Sequence, residues 1–235
     1  LDTNLYSNDE YTQFMNSALV NNPGLLLPAY DRGLALTWGT GAWAVNAVYM
    51  NVGKTDEEEN DASASNSVDL PDNYDYLGVE AGYTLATPLG SGNYRVMYLH
   101  TSNDFINADA TQAENLSGVL LSFDQSLGDS LGAFIRFGSQ SERASVRYRS
   151  IYSGGLDISG NLWSRVRDNV GVGVAYLQGG NRSIDFSWIA EAYYRMVFHE
   201  HLAVTADLQY MRDVELDGSG PEGFILGLRA VTAFY

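Results

Sequence analysis

Residues 202–210 read LAVTADLQY, and this stretch carries the pattern that decides the fold. Its apolar side chains occupy every second position: Leu202, Val204, Ala206, Leu208 and Tyr210. Asp207 and Gln209 lie on the opposite parity. Because successive side chains of a strand point to opposite faces of its sheet, the stretch predicts a β-strand with one apolar and one polar face.

The same alternation recurs along most of the chain, in segments of about ten residues. The clearest segments are 34–38, 43–49, 77–85, 94–98, 119–123, 131–137, 188–198 and 224–234, with a weaker pattern at 153–163 and 170–177. Turn-forming sequences separate them, such as PLGSG at 88–92 and GGN at 179–181. We therefore expect an all-β chain of about eleven or twelve antiparallel strands.

The lengths of strands and loops indicate a membrane protein. Strands of globular proteins average about 5–6 residues, whereas a tilted strand that crosses a bilayer needs about 9–11. Several segments reach the longer figure, and Tyr and Trp residues lie near many of their ends. Short connections at 127–130 and 199–201 contrast with long polar ones at 53–74 and 213–223. This combination predicts a transmembrane, up-and-down β-barrel with aromatic girdles.

Composition excludes several other classes of protein. The 29 acidic and 13 basic residues give a net charge of −16, which would repel the phosphates of a nucleic acid. The chain has no Cys, so disulfides, zinc–thiolate sites and thiol catalysis are excluded. Neither a secretory signal nor an apolar run long enough for a membrane helix is present. Since the chain starts at Leu1, we expect it to be processed, clipped or incomplete.

The positions of the cations fit a barrel in lipid. The single lysine, Lys54, lies in a predicted loop. The arginines predicted at mid-strand all fall on the non-apolar parity: Arg95, Arg136, Arg195 and Arg229. A cation on the lipid face would cost about 2–4 kcal/mol at the bilayer midplane. Unpaired backbone groups in hydrocarbon are costly too, so such a sheet must close.

Short motifs resemble those of the carbohydrate-selective porins of the OprB family. They are LDTN at 1–4, FMNSA at 14–18, DQ at 124–125, SGGL at 153–156, RD at 167–168, GVG at 171–173, TADLQY at 205–210 and GLR at 227–229. Glu191 and the aromatic Phe234, five residues after Arg229 and followed by Tyr235, complete the pattern. The resemblance extends over essentially the whole chain.

The resemblance implies a closed porin of about sixteen strands, wide enough for an aqueous channel. This chain, residues 1–235, matches only the C-terminal part of such a barrel, as a single porin domain without the N-terminal strands. Met211 also stands where the family has a proline, which alters a loop. The alternative is a smaller barrel of about twelve strands, in which residues 1–5 pair with the last strand.

Strand parity predicts which side chains face the lumen. The charged ones are Glu80, Arg95, Arg136, Glu191, Arg195, Asp207 and Arg229. Phe134, Tyr193 and Trp163 are candidate apolar platforms for sugar rings. Guanidinium groups suit sugars because they donate several N–H bonds in fixed geometry. The alternative is that these Arg and Glu side chains only satisfy one another inside the barrel.

Three further segments stand out, and the first two have two interpretations each. Residues 11–20 form the only candidate helix, which either constricts the lumen or lies against the barrel wall. The acidic run DEEEND at 56–61 is a solvated loop or a loose site for Ca²⁺ or Mg²⁺ that bridges to lipopolysaccharide, without the spacing of an EF-hand. The sequence His199-Glu200-His201 is a polar turn, not the zinc-protease spacing.

The function expected from these features is passive diffusion of carbohydrates or other small polar solutes across a bacterial outer membrane. Neither a cofactor nor a metal is expected, and the partners are outer-membrane lipid, lipopolysaccharide and sugars, with the chain a monomer or a homo-oligomer. One alternative is an outer-membrane enzyme that uses His100, His199 or His201 at the rim. Another is a structural barrel around a partner protein.

Overall fold

The computed structural model describes residues 1–21, 31–54, 68 and 70–233. One short helix, α1 (Ser17–Val20), precedes the strands. The strands are β1 (Arg32–Thr40), β2 (Trp43–Gly53), β3 (Asn73–Thr87), β4 (Gly90–Thr101), β5 (Phe105–Ile106), β6 (Ala113–Glu114), β7 (Ser117–Leu127), β8 (Leu131–Gln140), β9 (Tyr148–Ser159), β10 (Asn169–Gly179), β11 (Ile184–His199), β12 (Leu202–Glu215) and β13 (Glu222–Thr232). None of the helices in the described part of the chain is long and apolar enough to span a bilayer.

Eleven strands form one antiparallel sheet in the order β1-β2-β3-β4-β7-β8-β9-β10-β11-β12-β13. β5 and β6 make a separate small hairpin in the connection between β4 and β7. The prediction of an all-β, up-and-down antiparallel sheet of about eleven strands is confirmed. β1 and β13 lie at the two edges of the described sheet.

Four local predictions need correction. Residues 1–5 do not pair with the last strand, because they lie against β3 and β7 instead. Only Ser17–Val20 of the candidate helix at 11–20 is helical. The strand predicted for 153–163 is β9, which ends at Ser159, where a turn of 3₁₀ helix (Gly160–Trp163) begins. The connection predicted at 213–223 is shorter, since β12 runs to Glu215 and β13 begins at Glu222.

The connections define two rims. The short-turn rim carries the links β1–β2, β3–β4, β7–β8, β9–β10 and β11–β12, and the long-loop rim carries the others. The alternation of lengths is incomplete: the β9–β10 link at 160–168 is long for its rim, and the β10–β11 link at 180–183 is short for its own. The acidic run at 56–61 and the aromatic Phe234 lie outside the described residues.

The outer face of the sheet carries the apolar parity of the strands. Leu226 and Leu228 on β13 are 84% and 78% exposed, respectively. Two rows of directly paired aromatic residues cross this face, Trp43, Tyr83, Tyr94 and Phe123 towards the short-turn rim and Phe137, Tyr152, Tyr176 and Trp188 towards the long-loop rim. Aromatic rows above and below an apolar band are the surface that a barrel presents to lipid and headgroups.

The opposite, inner face is covered by the chain's own first residues. We call residues 1–21 the inner segment. Its Phe14 and Leu19 are fully buried against Phe134, Ile151 and Tyr193 on the sheet. A second apolar cluster, around Tyr74 and Leu99, lies towards the long-loop rim. The inner face is therefore partly apolar, which alternation alone did not predict.

Candidate functional site

The inner segment crosses the inner face from β3 to β13, and side chains on six strands form hydrogen bonds with it. Three buried carboxylates accept hydrogen bonds from its backbone N–H groups. The pairs are Glu80 with Asp2 N–H (2.6 Å), Asp124 with Leu5 N–H (3.2 Å), and Glu191 with Met15 N–H (2.6 Å) and Asn16 N–H (2.9 Å). Charge-assisted bonds of this kind are about twice as strong as neutral ones.

Arg136 on β8 lies at the centre of this contact and is 0% exposed. Its Nε pairs with the Asp2 carboxylate at 3.0 Å. Its Nη1 donates to the Ser7 hydroxyl at 2.8 Å and to the Leu19 carbonyl at 2.7 Å, and its Nη2 donates to the Ser7 carbonyl. A guanidinium group that is fully removed from water needs such a set of partners, because burying an unpaired charge is costly.

Arg229 on β13 holds the middle of the inner segment. Its Nη1 donates to the Glu10 carbonyl, and its Nη2 donates to the Gln13 carbonyl at 2.8 Å and to the Thr205 hydroxyl at 3.3 Å. The two carbonyls flank residues 11 and 12, so one side chain fixes both ends of this turn. Arg229 itself remains partly exposed.

Phe14 packs where the sheet lacks a side chain. Its ring meets Phe134 edge-on at 5.6 Å and Tyr193 at 5.1 Å between centroids. A Cβ on Gly173 of β10 would lie 2.9 Å from this ring, which is closer than packed carbon atoms approach. Gly132 on β8 leaves similar room for the ring of Tyr6. The inner face is thus shaped to fit the inner segment as well as charged to bind it.

The residues predicted to face the lumen fall into three groups. Those buried under the inner segment or beside it are Glu80, Arg136, Glu191, Asp207, Phe134 and Tyr193. Those on the inner parity and partly exposed are Arg95, Arg195 and Arg229. Trp163 forms the third, because it lies in the turn after β9. Contact of any of them with a solute stays a prediction.

Trp163 belongs to a small cluster at the short-turn rim. Its ring contacts Tyr194, which lies on the outer parity of β11, with centroids 6.1 Å apart. The Tyr194 hydroxyl donates to Asp168 at 2.7 Å, and Arg165 forms an ion pair with the same carboxylate. This pairing lowers the pKa of Asp168 to about 2. The cluster stabilises the β9–β10 connection.

Alternation missed several residues that bind the inner segment. Asp124 on β7 accepts from Asn93, Arg95 and Leu5 N–H, and its inward parity was the signal that could have identified it. Gln209 accepts from Asn16 at 3.0 Å and had the same signal. Ser7 gave none, because a lone serine in an irregular segment has no periodicity.

The sequence His199-Glu200-His201 belongs to the described residues and forms no metal site there. His199, Glu200 and His201 lie at the tight β11–β12 turn, where His201 Nε2 approaches Glu200 at 3.5 Å. Across the described ranges, groups of three or more His, Cys, Asp or Glu with metal-binding geometry are absent.

The family model of the carbohydrate-selective porins, OprB family, matches residues 1–234. An uncharacterized protein of Aquifex aeolicus (strain VF5) is 27% identical over 228 residues, 97% of this chain and 59% of its own length. The high-pH structure of Pseudomonas putida OprB superposes with a TM-score of 0.67 at 15% identity, covering 86% of this chain and 58% of that one. The chain thus spans about three fifths of the length of each.

Proposed function

The chain belongs to the carbohydrate-selective porin family, OprB, and from this premise we propose that it forms the wall of an outer-membrane channel for passive diffusion of carbohydrates and other small polar solutes. The observation that carries the proposal is the division of the sheet into two faces. The outer face exposes apolar and aromatic side chains suited to lipid, and the inner face carries charges and a folded segment.

In this proposal the inner segment narrows the channel. It lies on the inner face along its width, and a barrel of about sixteen strands is wide enough for water until something folds into it. The wall residues Glu80, Arg136 and Glu191 act by holding the segment, since they are buried beneath it. Arg95, Arg195 and Arg229 are partly exposed and are the wall charges within reach of a solute.

Solutes cross such a channel down their concentration gradient. Weak contacts at several points favour entry without slowing release. The setting proposed is the outer membrane of a Gram-negative bacterium, with lipid acyl chains against the outer face and lipopolysaccharide around the long-loop rim. This setting follows from the family and from the apolar outer face together.

The experiment is liposome swelling with the natural protein purified from outer membranes. Liposomes that contain it are placed in isotonic solutions of sugars graded from pentoses to trisaccharides. We expect swelling rates that fall with sugar size and exceed those of protein-free liposomes. Swelling equal to that of protein-free liposomes for every sugar would contradict the proposal.

A further inference from the structure

Tyr11 is the aromatic side chain that the inner segment turns away from the wall. Its side chain is 62% exposed, whereas Phe14, three residues later, is fully buried against the sheet. Since the sheet covers one side of the segment, its exposed side would face the interior of the proposed channel. Asn8 and Glu10 are exposed beside Tyr11.

The turn that carries Tyr11 is held rigidly. Asp9 accepts hydrogen bonds from Tyr11 N–H at 2.8 Å and from the Thr12 hydroxyl at 2.6 Å, which closes the turn. The Gln13 side chain accepts from Asn8 N–H at 2.7 Å and donates to the Leu5 carbonyl at 2.7 Å. Arg229 binds the carbonyls on both sides of the tip. A site on a rigid support needs little ordering when it binds.

An exposed aromatic ring on a hydrogen-bonded turn can bind a sugar. The π-face of the ring carries partial negative charge and attracts the C–H groups on the apolar face of a pyranose. The exposed carboxylate of Glu10 and the amide of Asn8 supply acceptors and donors for the sugar hydroxyls.

From these contacts we infer that Tyr11 is a solute-contacting residue that determines specificity, and that the buried charges of the wall are positioning residues that hold it. The inference rests on the proposed function and deepens it. It assigns the specificity of the channel to a residue of the inner segment, whereas the sequence pattern assigned it to residues of the barrel wall. The class of ligand is a neutral sugar in its pyranose form.

The test uses the natural full-length protein in planar bilayers and measures how a hexose interrupts the ion current. Three variants are compared with the wild type: Tyr11→Ala, Tyr11→Phe, and Tyr98→Ala on the outer face, where Tyr98 is 47% exposed. Folding of each is checked by heat-modifiable migration in gels. If Tyr11→Ala does not fold, Tyr11→Leu replaces it, because leucine keeps bulk without a ring.

We expect Tyr11→Ala to weaken the apparent sugar affinity about fivefold, which corresponds to the usual binding free energy of one aromatic contact. Tyr11→Phe and Tyr98→Ala should stay near wild type. Unchanged sugar affinity in Tyr11→Ala, with or without a rise in ion conductance, would overturn the inference. If the wild type itself shows neither current interruption nor sugar flux, the proposed function is contradicted as well. If only the Tyr11→Ala result is negative, the inference fails and the proposed function stands.

Discussion

The two faces of the sheet obey different rules. On the outer face, apolar side chains such as Phe224 and Leu228 are 74% and 78% exposed, and their character follows from strand parity alone. On the inner face, Arg136 is 0% exposed because a segment more than a hundred residues away in sequence covers it. The character of the outer face thus follows from local alternation along each strand, and that of the inner face follows from long-range contacts within the chain. A substitution should therefore act on stability in lipid when it lies outside, and on docking of the inner segment when it lies inside.

Substitution of Arg136, at the centre of the inner face, should cause the largest loss of stability. Arg136→Met removes the partner of Asp2 and the donors to the Ser7 and Leu19 carbonyls. Breaking a buried ion pair costs about 3–5 kcal/mol. We expect a loss of this size in the free energy of unfolding, measured by urea titration in phospholipid vesicles, and new protease cleavage within the inner segment.

The matched control for that substitution is Arg149→Met. Its ion pair with Glu142 spans 3.7 Å, and the two side chains are 44% and 39% exposed. An exposed pair contributes about 0–1 kcal/mol, so this variant should unfold like the wild type. Equal stability of the Arg136 and Arg149 variants would mean that the inner segment is not held as described.

A charge placed on adjacent residues of β13 compares the two faces directly. Leu226 lies on the outer face and Ile225 on the inner face, where it is 47% exposed. Leu226→Arg should cost about 2–4 kcal/mol in lipid, and Ile225→Arg much less, because only the outer position contacts hydrocarbon. The measurement is the same urea titration. A larger loss for Ile225→Arg would reverse the assignment of the faces.

Shape complementarity on the inner face predicts a smaller effect. Gly173→Ala places a methyl group 2.9 Å from the buried ring of Phe14. Overpacking of this kind costs about 1–3 kcal/mol. Gly223→Ala on β13 is the control, because a Cβ there meets nothing within 4 Å. In thermal unfolding in detergent, Gly173→Ala should have a lower midpoint temperature than the wild type, and Gly223→Ala should not. Equal midpoints for the two variants would contradict the packing described.

The smallest effect concerns the short-turn rim, which belongs to neither face. The pKa of Asp168 is lowered from 3.8 to about 2, mainly by Arg165. The ionised carboxylate therefore stabilises the folded state fully at pH values above the ordinary pKa of 3.8. That contribution should disappear as the pH falls from 3.8 towards 2. The difference in unfolding midpoint between wild type and Asp168→Asn should be constant above about pH 5 and shrink below it. A difference that grows in acid would contradict this.

The sequence predicts the outer face better than the inner face. The strands, their parity and the inward position of Glu80, Glu191 and Arg136 were predictable, because a period of two is a local property. The partners of these side chains were not, since the inner segment is irregular and its contacts join residues far apart in sequence. Trp163 shows the limit within a strand: the prediction extended β9 through it, whereas Gly160 begins a 3₁₀ turn that carries its ring to Tyr194.

The central claim, an outer face in lipid and an inner face under the inner segment, has a direct test. The chain contains no Cys, so single cysteines at positions 224 to 228 of β13 can each carry a spin label. Collision rates with oxygen and with a water-soluble nickel complex are then measured in vesicles. If the claim holds, oxygen dominates at 224, 226 and 228, the nickel complex gains at 225, and position 227 is shielded from both because a Cβ there lies 3.3 Å from Met15 of the inner segment. Equal accessibility along the strand, or the opposite parity, would contradict it.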